Sequence, residues 1–81
     1  MQQRYTEKQG KYLAFIYCYA KIHGYSPSEA ELQRHFGVTP PTVHQMVLTL
    51  ERNGLIERTA GKARSIRVLL ARHELPDLEQ E

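Results

Sequence analysis

The order of structural signals along this chain predicts an α+β fold: three helices followed by a two-stranded β-hairpin. Three observations carry that reading. Capping residues and glycines bracket three stretches of helical periodicity. A polar–apolar alternation, Ser65-Ile-Arg-Val-Leu69, follows a glycine-containing turn, as a half-buried strand does. A length of 81 residues allows one domain with a single small core and little room for a catalytic cavity.

The first helix runs from about Thr6 to His23. Thr6 caps it, and Glu7 stands in the first turn, where the helix dipole favours negative charge. Gly24 ends it. Tyr12, Leu13, Ile16, Ala20 and His23 recur at helical spacing and are expected to face the core. Phe15, Cys18 and Ile22 form a second, narrower apolar stripe. Pro27 keeps the preceding residues extended. Ser28-Glu-Ala-Glu31 is a capping box, with reciprocal side-chain to amide bonds between Ser28 and Glu31. The short helix it opens has Ala30, Leu32 and Phe36 as apolar positions and stops at Gly37. Thr39 then caps a third helix, with Pro40 at the first helical position, where a missing N–H costs nothing. That helix runs to about Asn53 and buries Val43, Met46, Val47 and Leu50. Leu55-Ile-Glu-Arg58 reads as a strand, Ala60-Gly61-Lys62 as the turn, and Ser65–Leu69 as the partner strand.

Charge is distributed unevenly. Net charge is +2. Residues 52–72 carry Arg52, Arg58, Lys62, Arg64, Arg67 and Arg72 against Glu57 alone, whereas 73–81 carry only acids, Glu74, Asp77, Glu79 and Glu81. The chain therefore divides into a domain, 1–72, and an acidic C-terminal tail, 73–81. A basic block that coincides with a hairpin is the electrostatic footprint of a polyanion binder. The apolar share of 41% is that of a globular domain. No apolar run approaches the roughly 20 residues of a membrane helix, and Met-Gln-Gln-Arg-Tyr is no signal peptide, so a cytoplasmic address and no membrane partner are expected. One cysteine, Cys18, allows no internal disulfide.

Two short helices joined by a tight glycine turn, the second polar on its outer face, form a helix-turn-helix, and the hairpin makes it a winged helix-turn-helix. Opposite Val43, Val47 and Leu50 the third helix presents Pro41, Gln45, Leu48, Thr49 and Arg52, flanked by Thr42 and His44. The first turns of such a helix reach base edges in the DNA major groove. Gln45 has the geometry for a bidentate pair with adenine, Thr42 for a base edge or thymine methyl, and His44 for guanine or phosphate. Pro41, Thr42, His44, Gln45, Leu48 and Thr49 are thus the base-reading candidates. Ser28, Thr39, Arg52, Lys62, Arg64 and Arg67 are the backbone-contacting ones; phosphate contacts fix register while base contacts give preference.

The stretch from Tyr5 to Leu70 resembles the N-terminal winged-helix domain of the LexA family of SOS repressors. The resemblance rests on Thr6-Glu-Lys-Gln, Gly24-Tyr-Ser-Pro-Ser-Glu-Ala-Glu-Leu, Phe36-Gly-Val, Thr42-Val-His, Leu50-Glu-Arg-Asn-Gly-Leu-Ile-Glu and Arg64-Ser-Ile-Arg-Val-Leu. It implies that the third helix reads an operator through Pro41, Thr42, His44 and Gln45, that the wing touches the backbone, and that the domain acts as a small transcriptional repressor. The sequence departs from the family in lacking the C-terminal self-cleaving serine/lysine peptidase domain, through which the family largely dimerises, so a stand-alone domain is expected. It also has a connection before the third helix one residue shorter than the family pattern, and Pro40-Pro41 in place of a more polar start. Ala60-Gly61 lies in the wing and is not the family's scissile dipeptide. A looser likeness is to the MarR group.

Other functions fare less well. His23, His35, His44 and His73 stand on different elements, none at metal-ligand spacing to another or to Cys18. Ser26, Ser28 and Ser65 have no evident base, so no enzyme, metal or cofactor is expected. The main alternative is a winged helix that grips another protein and has no DNA target, for which the apolar Leu48 and the acidic tail speak. A ligand-sensing regulator would need a cavity this core is too small to hold. The stripe of Phe15, Cys18 and Ile22 has two readings. Either it accepts Leu75 and Leu78, from its own tail or from a second copy in a homodimer, or it is apolar surface left exposed on a small domain.

Overall fold

The computed structural model describes residues 4–76. α1 spans Glu7–His23, α2 Glu29–Phe36 and α3 Pro40–Arg52; β1, Ile56–Glu57, and β2, Arg67–Val68, follow, then a single 3₁₀ turn at Arg72–Glu74. The strands pair antiparallel, Ile56 opposite Val68 and Glu57 opposite Arg67. The architecture is the expected α+β winged helix-turn-helix.

The helix boundaries follow from local chemistry. At α1 the Thr6 hydroxyl accepts from the Gln9 amide at 3.1 Å, and Gln9 Oε1 accepts from the Thr6 amide at 3.0 Å. This is a full capping box, where the sequence suggests Thr6 alone as the cap. Ser28 and Glu31 do the same for α2. Thr39 holds the N-cap position of α3 without the expected side-chain bond to an amide; its hydroxyl pairs with that of Thr42 at 2.9 Å. Pro41, at the second helical position, removes one of the donors such a cap would otherwise satisfy. At the other end Gly54 adopts φ +75°, which lets the Leu55 amide turn back onto the Leu50 carbonyl at 3.0 Å. That turn aims the chain out of α3 directly into β1.

Both strands are shorter than the alternation suggests. Arg64 sits at φ +58°, in the left-handed region. Ser65 folds inward so that its hydroxyl accepts from the Thr59 amide at 3.0 Å and donates to the Lys62 carbonyl at 2.9 Å. Residues 58–66 are therefore a tied loop and not two extended arms.

One core joins every element: Tyr12, Leu13 and Ile16 of α1, Leu32 of α2, Val43, Val47 and Leu50 of α3, then Leu55, Ile56, Ile66, Leu70 and Leu75. Burying one of the larger of these stabilises the fold by about 1.5–3 kcal/mol. The Tyr12 ring stacks on Phe36, centroids 4.0 Å apart. Burial pushes the Tyr12 hydroxyl pKa up, since the ionised form would be desolvated. Gly10 is inside α1 because the Tyr5 ring and Pro76 crowd it; a Cβ there would stand 2.8 Å from the ring.

Several sequence expectations are corrected. His23 is exposed and Ala20 only half-buried, because α1 turns its C-terminal end away from the core; Ala14 is buried instead. Ala30 is exposed as well. Phe15 is not part of an open stripe: His35 of α2 stacks on it at 3.9 Å. Cys18 is half-buried, and only Ile22, 77% exposed, stands free. Leu75 does not dock on that stripe either. It enters the core at the opposite end of α1, where the Tyr5 hydroxyl donates to the Glu74 carbonyl and Pro76 meets Gly10. Packing therefore continues past residue 72 to Pro76, beyond the division read from charge. Leu78 and the acids of the tail after Pro76 lie outside the described residues.

Candidate nucleic-acid interface

α3 owes its orientation to Val43, Val47 and Leu50, each fully buried, in a helix that packs on α2 and β1. With that side fixed, helical geometry sends the opposite side outward. Pro41, Thr42, His44 and Gln45 are exposed, as is Arg52 in the last turn; Leu48 and Thr49 are half-buried. The base-reading candidates thus do share one surface, with the first two turns the most open part of it.

The two flanks of α3 differ. On one side Pro41, Thr42, Gln45, Met46 and Thr49 line a groove of about 420 Å³ with Gln9 of α1. On the other, His44 faces α2, its Nδ1 3.3 Å from Glu29 Oε1. That flank opens into a cleft of about 350 Å³ shared with Arg58, Lys62 and Arg64 of the wing. α3, through His44, and the wing therefore converge on a common concavity.

The backbone-contacting candidates are less uniform. Lys62 is exposed at the wing tip and makes no ion pair among the described residues. Arg64 lies elsewhere than its place in the basic turn suggests. Its guanidinium grips Glu31 in bidentate fashion, Nη1 to Oε1 at 2.8 Å and Nη2 to Oε2 at 3.0 Å, and also donates to the Ser26 carbonyl at 3.2 Å. Its Cζ lies 4.8 Å from the centre of the Tyr25 ring, a cation–π contact. The left-handed backbone at Arg64 is what turns the side chain inward. Arg67 pairs with Glu57 across the hairpin, as the register dictates, and Arg58 with Glu51 at 3.1 Å. The Ser28 hydroxyl is engaged with Glu31, and the Thr39 hydroxyl with Thr42.

Glu31 is the hub of this arrangement. It receives the Arg64 guanidinium, the Ser28 amide at 2.8 Å and the Tyr19 hydroxyl at 2.7 Å. These donors, Arg64 first, hold its carboxyl at about 2, well below the usual carboxylate range. The same contact with Glu31 raises the Tyr19 hydroxyl pKa and that of Arg64.

A family model described as the LexA DNA binding domain matches residues 2–65. The chain belongs to the LexA DNA-binding domain family. Among similar curated proteins are the LexA repressors of Thermosipho melanesiensis, 44% identical over 64 residues, of Thermotoga maritima, 41% over 63, and of Verrucomicrobium spinosum, 42% over 62. These alignments take in 79%, 78% and 75% of this chain. The chain spans about a third of the length of those relatives.

The LexA match takes in all three helices, β1 and the tied wing loop up to Ser65. It stops short of β2 and of the Leu75 and Pro76 contacts. Within this LexA domain, sequence reading missed the Glu31–Arg64–Tyr19 network and the Glu29–His44 contact. Glu31 and Arg64 are 33 positions apart, and Glu29 and His44 are 15 apart, so no local spacing signals either pair. Among the described residues no three His, Cys, Asp or Glu side chains are grouped to hold a metal ion. No helix there is long and apolar enough to cross a membrane.

Proposed function

We propose that this domain binds double-stranded DNA sequence-specifically and represses transcription, in the cytoplasm where that DNA lies. The observation that carries the reading is the open, polar surface at the start of α3, whose His44 shares one cleft with Lys62, a cation unpaired among the described residues. Membership in a DNA-binding domain family and likeness to proteins named as LexA repressors support it. Pro41, Thr42, His44 and Gln45 meet base edges, with Leu48 and Thr49 at the margin. Arg52 and Lys62 meet phosphate. Arg64 serves the same end indirectly, by holding the wing in place, and Ser28 and Thr39 by shaping the helix starts.

Gel shifts with a random duplex at two salt concentrations, followed by selection from a random pool, test this. Binding that weakens steeply with salt and yields a motif supports it, since each neutralised phosphate releases counterions. No shift at low salt removes the DNA reading and leaves the protein-docking alternative. Pairing of two copies is the finer part of the proposal, and Ile22 is the apolar group of α1 open to a second copy. A lower sedimentation mass for Ile22→Glu supports pairing through that end. A mass equal to that of the parent rules it out.

A further inference from the structure

The flank of α3 that carries His44 has a contact that the neighbouring reading position lacks. His44 Nδ1 lies 3.3 Å from Glu29 Oε1 and 3.4 Å from Oε2. Gln45, one residue on, makes no side-chain hydrogen bond among the described residues. A carboxylate has no hydrogen to offer, so the hydrogen of the Glu29–His44 contact sits on Nδ1. That leaves Nε2 as the ring atom free to meet a base edge, an acceptor in the neutral ring and a donor in the protonated one.

We infer that Glu29 is a specificity-determining positioning residue. It holds His44 in the Nδ1–H form with Nε2 presented outward, so a residue outside the reading helix sets what the helix reads. The inference rests on the DNA-binding reading above and deepens it.

Three observations favour this over an incidental surface pair. The α2 capping box is completed by Ser28 and Glu31, so the Glu29 side chain makes no capping bond and serves its own helix only through the dipole of the first turn, which does not need His44. Nδ1–H is the less favoured form of a neutral histidine side chain free in water, so the contact imposes a state rather than accompanying the default one. And Glu29 shares its cleft with Lys62, the wing cation that is unpaired among the described residues. A carboxylate there repels phosphate, so a surface built only for attraction would do better without it.

The test selects bound duplexes from a random pool with the parent, Glu29→Ala, Glu29→Gln and His44→Ala domains, with affinity for a random duplex measured alongside. Glu29→Ala is expected to relax preference at the same base pair that His44→Ala relaxes, roughly five-fold or more, the weaker end of a single base contact. Affinity for the random duplex stays equal or rises, because a negative charge has left the phosphate-facing surface. Glu29→Gln keeps a larger share of the preference, since its amide oxygen still accepts from Nδ1. The imidazole nitrogen chemical shifts of His44 report the tautomer without DNA: Nδ1–H in the parent, Nε2–H in Glu29→Ala. Four results overturn the inference while leaving DNA binding intact: unchanged preference in Glu29→Ala, equal losses on selected and random duplexes, no effect of His44→Ala on the motif, or a parent ring already in the Nε2–H form. A parent that selects no motif overturns the underlying reading itself.

Discussion

α3 and the wing both face outward, yet they hold themselves in place by different means. α3 buries Val43, Val47 and Leu50 completely and is steered from behind by packing. Of its outward side chains only His44, on Glu29, and Thr42, on Thr39, have side-chain partners among the described residues, and Gln45 has its hydrogen-bonding groups unengaged. The wing has strands of two residues each and a long loop; Ile56 and Ile66 anchor its base in the core, but residues 59–64 are exposed and have no apolar packing to hold them. Polar contacts fasten it instead, with Arg64 on Glu31, Arg67 on Glu57, Arg58 on Glu51, and the Ser65 hydroxyl tying the loop. A cation used as a fastener is not free for phosphate. Of the wing's four, only Lys62 is unpaired among the described residues.

The largest effect should come from cutting the main fastener. Arg64→Ala is expected to lower the melting temperature and DNA affinity together, because the wing comes away from α2 and Glu31 is left without its strongest donor. Calorimetry and a gel shift read the two losses. A drop in affinity with an unchanged melting temperature would return Arg64 to direct phosphate contact and break the contrast between helix and wing. Acid probes the same joint. The Glu31 carboxyl is held at about 2, below its ordinary value near 4.5, so its contribution to stability is complete above pH 5. It fades as pH falls from there through 2. Arg64→Ala should flatten the pH dependence of the melting temperature in that window, as Glu31→Gln should.

On the helix side, Gln45→Ala should leave the fold intact and cost about 1–3 kcal/mol at one base pair of the selected motif, relaxing preference there. Equal loss on selected and random duplexes would remove Gln45 from reading.

The same contrast explains how much was legible in the sequence. Order, type and most boundaries of the helices follow from local signals: the Ser28–Glu31 cap, Pro40 at the head of α3, Gly24, Gly37 and Gly54 at the ends. The outward placement of Thr42, His44 and Gln45 follows from helical periodicity once the buried stripe is known. The wing was not legible in that way. Lys62 and Arg64 are two residues apart in one basic turn and look alike there, but a single left-handed backbone angle at Arg64 sends one side chain outward and the other into α2. Likewise Leu75 is apolar in an acidic stretch, and only the three-dimensional closure against Tyr5 and Gly10 makes it part of the core.

The smallest effects sharpen the account of free and paired cations. Lys62→Ala should change stability by less than about 0.5 kcal/mol, weaken binding to all duplexes alike and reduce the slope of log affinity against log salt by about one. Arg67 is the converse case. Its pair with Glu57 is exposed on both sides, 69% and 55% at the side chains, and such a pair contributes between zero and about 1 kcal/mol to the fold. Glu57→Gln should therefore cost little stability while leaving the Arg67 guanidinium without its carboxylate partner. Random-duplex affinity should rise and the salt slope steepen by up to one, the mirror image of Lys62→Ala. If Glu57→Gln leaves both unchanged, Arg67 does not reach phosphate even when free, and Lys62 alone carries the wing's contact.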